Sequence, residues 1–197
     1  KNGQYDNWAK TSLPWMSIGY ETQIPPISTL TFYNTIANNG KMMRPRFVSK
    51  VMKNGETIME FPPEVMRQQI AKEKSIKELQ TILEQVVSVG LGKKAGSPNF
   101  KVAGKTGTAQ ISKGAGGYKS GGTSYLISFA GYFPADAPRY SCIVCIQKSG
   151  LPASGGTMCG KVFHQISEGI MAQSQKVDVK DARDSACLLY TSDAADE

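Results

Sequence analysis

Apolar positions recur along this chain with two different periods, and each period predicts a different kind of element. Ile27, Leu30, Ile36 and Ala37 recur at roughly helical steps after Pro26. This spacing predicts a helix that stops at Asn38-Asn39-Gly40, residue types that tolerate a positive φ. Two β-prone runs follow, Phe47–Met52 and Glu56–Phe61, with Asn54-Gly55 between them and Pro62-Pro63 after them. An Asn-Gly pair between such runs predicts a hairpin. Ile76, Leu79, Ile82, Leu83, Val86 and Val87 fall at steps of three and four, which predicts a helix over 75–88. Gly90, Gly92, Gly96 and Pro98 then break the chain.

Three β-rich stretches come next, at 102–110, 125–133 and 140–147. A glycine-rich loop at 113–122 separates the first two, and a turn at 134–138 separates the last two. The layout predicts an antiparallel meander. From Met158 to Met171, Val162, Phe163, Ile166 and Ile170 share one helical stripe that can cover a sheet face. Helices, then antiparallel strands, then a helix give an α+β class. Residues 1–25, punctuated by Pro14, Gly19 and Pro25, are expected to be irregular. The patterning ends near 172, so 1–172 reads as the folded unit. Residues 173–197 read as a disordered or non-native tail.

Composition narrows the classes. No apolar run approaches the roughly 18 residues of a spanning helix, and no basic-then-apolar leader is visible. Residues 1–172 carry 20 Lys+Arg against 10 Asp+Glu, whereas 173–197 carry 3 against 6. The cations are scattered rather than clustered, so no nucleic-acid signature emerges. Cys142 and Cys145 form a C-x-x-C, but on a strand that spacing points the two thiols to opposite faces, which suits neither a disulfide nor a metal. His164 is the single histidine and reads as structural. No metal or cofactor is implied.

The candidate chemistry lies in Val102-Ala103-Gly104-Lys105-Thr106-Gly107-Thr108-Ala109-Gln110. Five consecutive residues, Gly104 to Thr108, hold a cation, two hydroxyls and two glycines between small or apolar flanks. On a strand, Lys105 and Gly107 share one face and Thr106 and Thr108 the other. Lys105 offers a compact positive charge. The threonines offer hydroxyls that donate and accept. Glycine lets a ligand or another backbone come close. The set suits a small carboxylate or an amide laid along a strand. By itself it is better described as a short strand with a surface lysine and glycines marking a bulge, since such short motifs recur by chance. A phosphate loop is excluded: its first glycine would fall at Asn99, and the residues after Thr108 are strand-like rather than helical.

Val102–Gln110 resembles the K-T-G motif of penicillin-binding proteins. Other stretches agree with it in order. Ile18–Ile27 resembles the family's segment leading into a helix, and Ile36–Gly40 resembles the end of that helix. Ser128–Pro134 resembles the next strand, and Gly155-Gly156 to Phe163 the start of the last helix. The resemblance covers about 1–172 and is strongest to the class B enzymes, the monofunctional peptidoglycan D,D-transpeptidases of cell division and elongation. It implies a β-lactamase/transpeptidase-like fold and a periplasmic, membrane-anchored parent. The implied partners are D-Ala-D-Ala stem peptides, β-lactams and other cell-wall synthesis proteins. In that family's terms Lys105 tunes the electrostatics, Thr106 and Thr108 bind the terminal carboxylate, and Gly107 makes room for the acyl group. The backbone N–H of Thr108 supplies half of the oxyanion hole.

The family also uses S-x-x-K for its nucleophile and lysine, and S-x-N as a second motif. No serine of this sequence begins an S-x-x-K. Ser97-Pro98-Asn99 matches S-x-N but ends only six residues before Lys105, so it reads as a decoy. The nucleophile and the second motif are expected upstream of Lys1, and the chain alone is expected to be inactive. Two rival readings share the strand: a serine β-lactamase, and a non-catalytic β-lactam sensor or scaffold. An incomplete domain is also expected to leave apolar surface exposed.

Overall fold

The computed structural model describes residues 10–20, 22–111 and 122–174. Helix α2 spans Pro26–Ala37. Proline is pre-organised for its first position, where the missing N–H has no intrahelical partner to lose. Asn39 and Gly40 take positive φ, 54° and 93°, and Gly40 N–H reaches back to Thr35 O at 2.8 Å. This closes the helix in the way a C-terminal glycine allows. The predicted hairpin is present as β2 (Lys50–Lys53) and β3 (Glu56–Glu60), turning through Asn54 and Gly55 with φ of 53° and 85°. Helix α3 runs over Glu73–Ser88, two residues longer at its start than predicted.

Strands β5 (Ala103–Ile111), β6 (Ser124–Phe133) and β7 (Tyr140–Ser149) form the predicted antiparallel meander. The β5–β6 register runs without a slip from Ala103 opposite Tyr132 to Ile111 opposite Ser124. Helix α4 covers one sheet face over residues 155–174. There Val87, Val102, Ile127, Phe129, Phe133, Cys159 and Phe163 form the larger core. Phe163 meets Phe129 edge-on at 4.7 Å and Phe133 at 5.6 Å between ring centroids. On the other face α2 and α3 bring Ile36 and Leu83 against Ala103 and Tyr132. Asn34 Nδ2 donates to Ser141 Oγ at 3.1 Å on that side.

Several expectations need correcting. Residues 12–17 are not irregular but form a short helix, α1 (Ser12–Ser17). Pro14 is tolerated because it lies in the first turn, and Trp15 packs edge-on against Tyr20 at 5.2 Å. A two-residue strand β1 (Met42–Met43) pairs with β4 (Val65–Arg67), which no periodicity announced. Strand β2 starts only at Lys50, leaving Phe47 88% exposed. The apolar period begins the last helix at Met158, but Gly155-Gly156, which the resemblance places at the helix start, is already the first turn of α4. It is a wide π-type turn capped by Ser154, whose hydroxyl accepts from Thr157 N–H at 3.2 Å. The helix continues through the last described residue, 174, past the expected boundary at 172. The glycine-rich loop, apart from Gly122, and the tail from 175 onward lie outside the described residues, as do residues 1–9, Glu21 and Cys187. Phe47, Leu91, Leu151 and Ile18 all face solvent, but none of them lies on the meander, where exposed apolar surface is expected; Leu126 is the large apolar side chain exposed there.

The phenol of Tyr132 is buried, its hydroxyl has no hydrogen-bond partner among the described residues, and burial, aided by Glu84, pushes its pKa up from 10.0 to about 12. The fold therefore favours the neutral phenol. That contribution is complete below pH 10 and is lost as the pH climbs from 10 towards 12. Urea melts of the parent and Tyr132→Phe are expected to diverge over that window, with only the parent losing this increment. Phe163→Ala is expected to lower stability by about 3–5 kcal/mol in the same melts, whereas Leu151→Ala, at a site 74% exposed, stays within about 0.5 kcal/mol.

Candidate active site

Strand β5 stands at the end of the sheet and pairs only with β6 among the described residues. Its side chains divide as the alternation requires. Residues directly opposite one another share a face, so Thr106 and Thr108 lie with Phe129 and Ile127 on the α4 side. Lys105 and Gly107 lie with Ala130 and Ser128 on the α2 side. Lys105 is exposed, and its Nζ donates to Thr106 O at 3.1 Å. No ion pair involves Lys105 among the described residues.

The backbone direction at the free edge follows from one contact. Gln110 N–H donates to Tyr20 Oη at 3.1 Å, away from β6. In an antiparallel strand the N–H and C=O of alternate residues point to the same edge. With no register slip in between, Thr108 and Thr106 also turn their N–H and C=O groups outward. The Thr106 carbonyl is accordingly the one that Lys105 reaches. One edge thus presents the N–H groups of Thr106 and Thr108, their two hydroxyls and a lysine, an arrangement able to hold an anionic, strand-like ligand.

The structure also brings in groups that sequence reasoning did not assign to the site. Gly155 N–H donates to Thr108 Oγ1 at 3.3 Å, so the head of α4 touches the strand. Ser128 stands beside Gly107: a side-chain carbon on Gly107 would collide with its hydroxyl. Tyr20 closes the far end at Gln110. The Gly155-Gly156 pair was the one visible signal, since paired glycines mark a close backbone approach. Ser97 and Asn99 are held elsewhere. Ser97 Oγ donates to Glu168 Oε1 at 2.5 Å and Asn99 Nδ2 to Glu168 Oε2 at 3.2 Å, tying the loop before β5 to α4.

The thiols behave as their faces dictate. Cys142 packs on the α4 side and Cys145 is exposed on the other, both are free, and burial pushes both thiols up. Among the described residues no group of three His, Cys, Asp or Glu side chains converges on one point. His164 lies on α4, and its Nδ1 is buried without a hydrogen-bond partner among those residues.

The family model of the penicillin binding protein transpeptidase domain matches residues 1–168. The chain belongs to that family. Its relatives put it among the class B members. Penicillin-binding protein PbpB of Mycolicibacterium smegmatis is 29% identical over 177 residues, covering 84% of this chain and 27% of that protein. Peptidoglycan D,D-transpeptidase FtsI of Escherichia coli is 27% identical over 170 residues, covering 85% of this chain and 26% of its own. Among solved structures, apo penicillin binding protein 3 of Mycobacterium tuberculosis superposes with a TM-score of 0.72 at 27% identity, covering 86% of this chain and 40% of that one. The same protein complexed with aztreonam gives 0.70 at 28% identity, again over 86% of this chain and 40% of that one. This member of the family therefore has the α+β architecture expected of it, and it spans about a quarter of the length of the curated relatives it matches.

The edge geometry has a direct check. Tyr20→Phe removes the acceptor of Gln110 N–H, and hydrogen exchange at the Gln110 amide is expected to speed up by about three- to tenfold, the worth of one ordinary hydrogen bond. An unchanged rate would mean that this amide does not point to the free edge.

Proposed function

We propose that this chain supplies the carboxylate-binding side, and one oxyanion-hole donor, of a peptidoglycan D,D-transpeptidase active site. The observation that carries the reading is the outward N–H of Thr108 beside the exposed, ion-pair-free Lys105 on the free edge of β5. A D-Ala-D-Ala stem peptide lies along that edge. The hydroxyls of Thr106 and Thr108 donate to its terminal carboxylate, and Lys105 supplies the compensating charge. Gly107 leaves space for the acyl group.

The reaction needs a serine and a lysine base, which this reading places on a segment outside the chain. The serine oxygen attacks the carbonyl of the penultimate D-Ala. The developing oxyanion accepts from Thr108 N–H, an interaction worth about 3–4 kcal/mol per donor in other acyl-transfer sites. Collapse expels D-Ala, which takes up a proton, and leaves an ester on the serine. An amine of a second stem peptide then attacks that ester, forming the cross-link and freeing the serine. A β-lactam enters the same site as a strained amide whose carboxylate meets the same two hydroxyls. That penicillin binding protein 3 of M. tuberculosis has been solved complexed with aztreonam, a β-lactam, supports a β-lactam as a ligand of this site. In the same reading residues 1–172 form the C-terminal part of the catalytic domain. The parent works at the periplasmic face of the inner membrane in cell division or elongation. No described helix is long and apolar enough to cross a membrane.

Labelling with a fluorescent penicillin tests the reading. The chain by itself is expected to stay unlabelled, and the transpeptidase that includes the nucleophile-bearing segment is expected to be labelled. In the latter, Lys105→Ala and Thr108→Val are each expected to slow acylation by about tenfold or more, since each removes a hydrogen bond or charge contact to an ionised group. Covalent labelling of the short chain would overturn the assignment, because one of its own serines would then be the nucleophile.

A further inference from the structure

The head of α4 touches β5 at Thr106, Gly107 and Thr108. Gly155 N–H donates to Thr108 Oγ1 at 3.3 Å. A side-chain carbon on Gly155 would collide with the carbonyl oxygens of Gly107 and Ser128 and lie 3.1 Å from Gly107 N. Gly107 and Ser128 stand directly opposite each other. Because Thr106 and Thr108 turn outward, the N–H and C=O of Gly107 turn inward, so Gly155 rests on the hydrogen bonds that hold β5 to β6 beside the site. A side-chain carbon on Gly156 would collide with Leu91 O and lie 3.2 Å from the Thr106 methyl. Backbone carbonyls cannot move aside as a side chain can, so neither position has room for even a methyl group.

We propose that Gly155 and Gly156 are positioning residues that aim the Thr108 and Thr106 hydroxyls and thereby set the preference of the site for a free carboxylate. The inference rests on the reading of β5 as a carboxylate subsite. Its physical basis is the inventory of a hydroxyl, which has one proton to donate and lone pairs to accept. A Thr108 oxygen that accepts from Gly155 N–H keeps its own proton for the ligand. A donor in that place suits a carboxylate oxygen and offers less to an ester. Threonine's stiff χ1 holds the arrangement once α4 has selected it. Gly156 does the complementary work at Thr106, allowing Leu91 and the threonine methyl to close on the helix head without displacing the strand.

The test compares acylation of the nucleophile-containing transpeptidase by a penicillin and by its methyl ester. The rate ratio, acid over ester, reports the carboxylate contact alone, because general damage to the fold slows both reactions together. Thr108→Val is expected to lower the ratio about tenfold. Gly155→Ala is expected to lower it by a similar factor, and the double variant by no more than Thr108→Val alone. A ratio that falls with Thr108→Val but survives Gly155→Ala overturns the positioning role and leaves the carboxylate subsite standing. A ratio that Thr108→Val leaves unchanged removes the subsite itself, and the positioning role with it. Where Gly155→Ala fails to fold, Thr108→Ser decides. Serine lacks the methyl that stiffens χ1, so only the Gly155 N–H can hold its hydroxyl. A ratio kept well above that of Thr108→Val supports the proposal, and a ratio equal to it overturns it.

Discussion

Everything at the candidate site depends on β5 being paired, among the described residues, along one edge only. The unbroken ladder to β6 commits the backbone groups of Ala103, Lys105, Gly107 and Ala109 inward, and it commits those of Thr106, Thr108 and Gln110 outward by the same alternation. An edge strand is ordinarily a liability, because its free N–H and C=O groups invite any passing strand. Here the free groups are flanked by a lysine and two threonines, and under the proposed function that makes the edge selective for a ligand that is extended and anionic at one end. Tyr20 satisfies the donor at Gln110 and so limits the open length of the edge.

The edge keeps its geometry because both faces of the sheet are covered behind it. Phe129, Phe133 and Phe163 interlock on the α4 side, and α2 and α3 close on Tyr132 and Ala103 on the other. The aromatic contacts fix where α4 begins, and that start puts Gly155 over the Gly107–Ser128 pair. The Ser97–Asn99–Glu168 contact performs a related task at the far end of the same helix, where it ties the loop entering β5 to α4. Core packing and site geometry are therefore one constraint, transmitted through a helix held at both ends against the strand that carries the chemistry.

Much of the fold was legible in the chain itself. The helix at 26–37, the Asn54-Gly55 hairpin, the helix ending at Ser88 and the three-stranded meander all carry local signals: a period, a turn dipeptide, a terminating glycine. The elements that escaped are those whose reasons are not local. Strands β1 and β4 are two and three residues long and exist only through each other, 22 to 25 positions apart by their register of Met43 with Val65 and Met42 with Arg67. Helix α1 contains a proline, and Trp15 against Tyr20 supports it. The apolar stripe of α4 begins only at Met158, and helix propensity penalises glycine, yet Gly155-Gly156 form its first turn in close contact with β5.

The sequence alone determined the residue types at the site, their division between the two strand faces, and the family resemblance that names the chemistry. Those follow from order and period, which are properties of a line. Tertiary structure decided which edge of β5 is free, which way the Thr108 N–H points, and that the hydroxyl of Thr108 meets the backbone of a residue 47 positions later. It also drew Ser97 and Asn99 away to Glu168 despite their motif-like spacing. Those outcomes depend on which surfaces the chain brings together, and a hydrogen bond acquires its direction only once both partners have been placed.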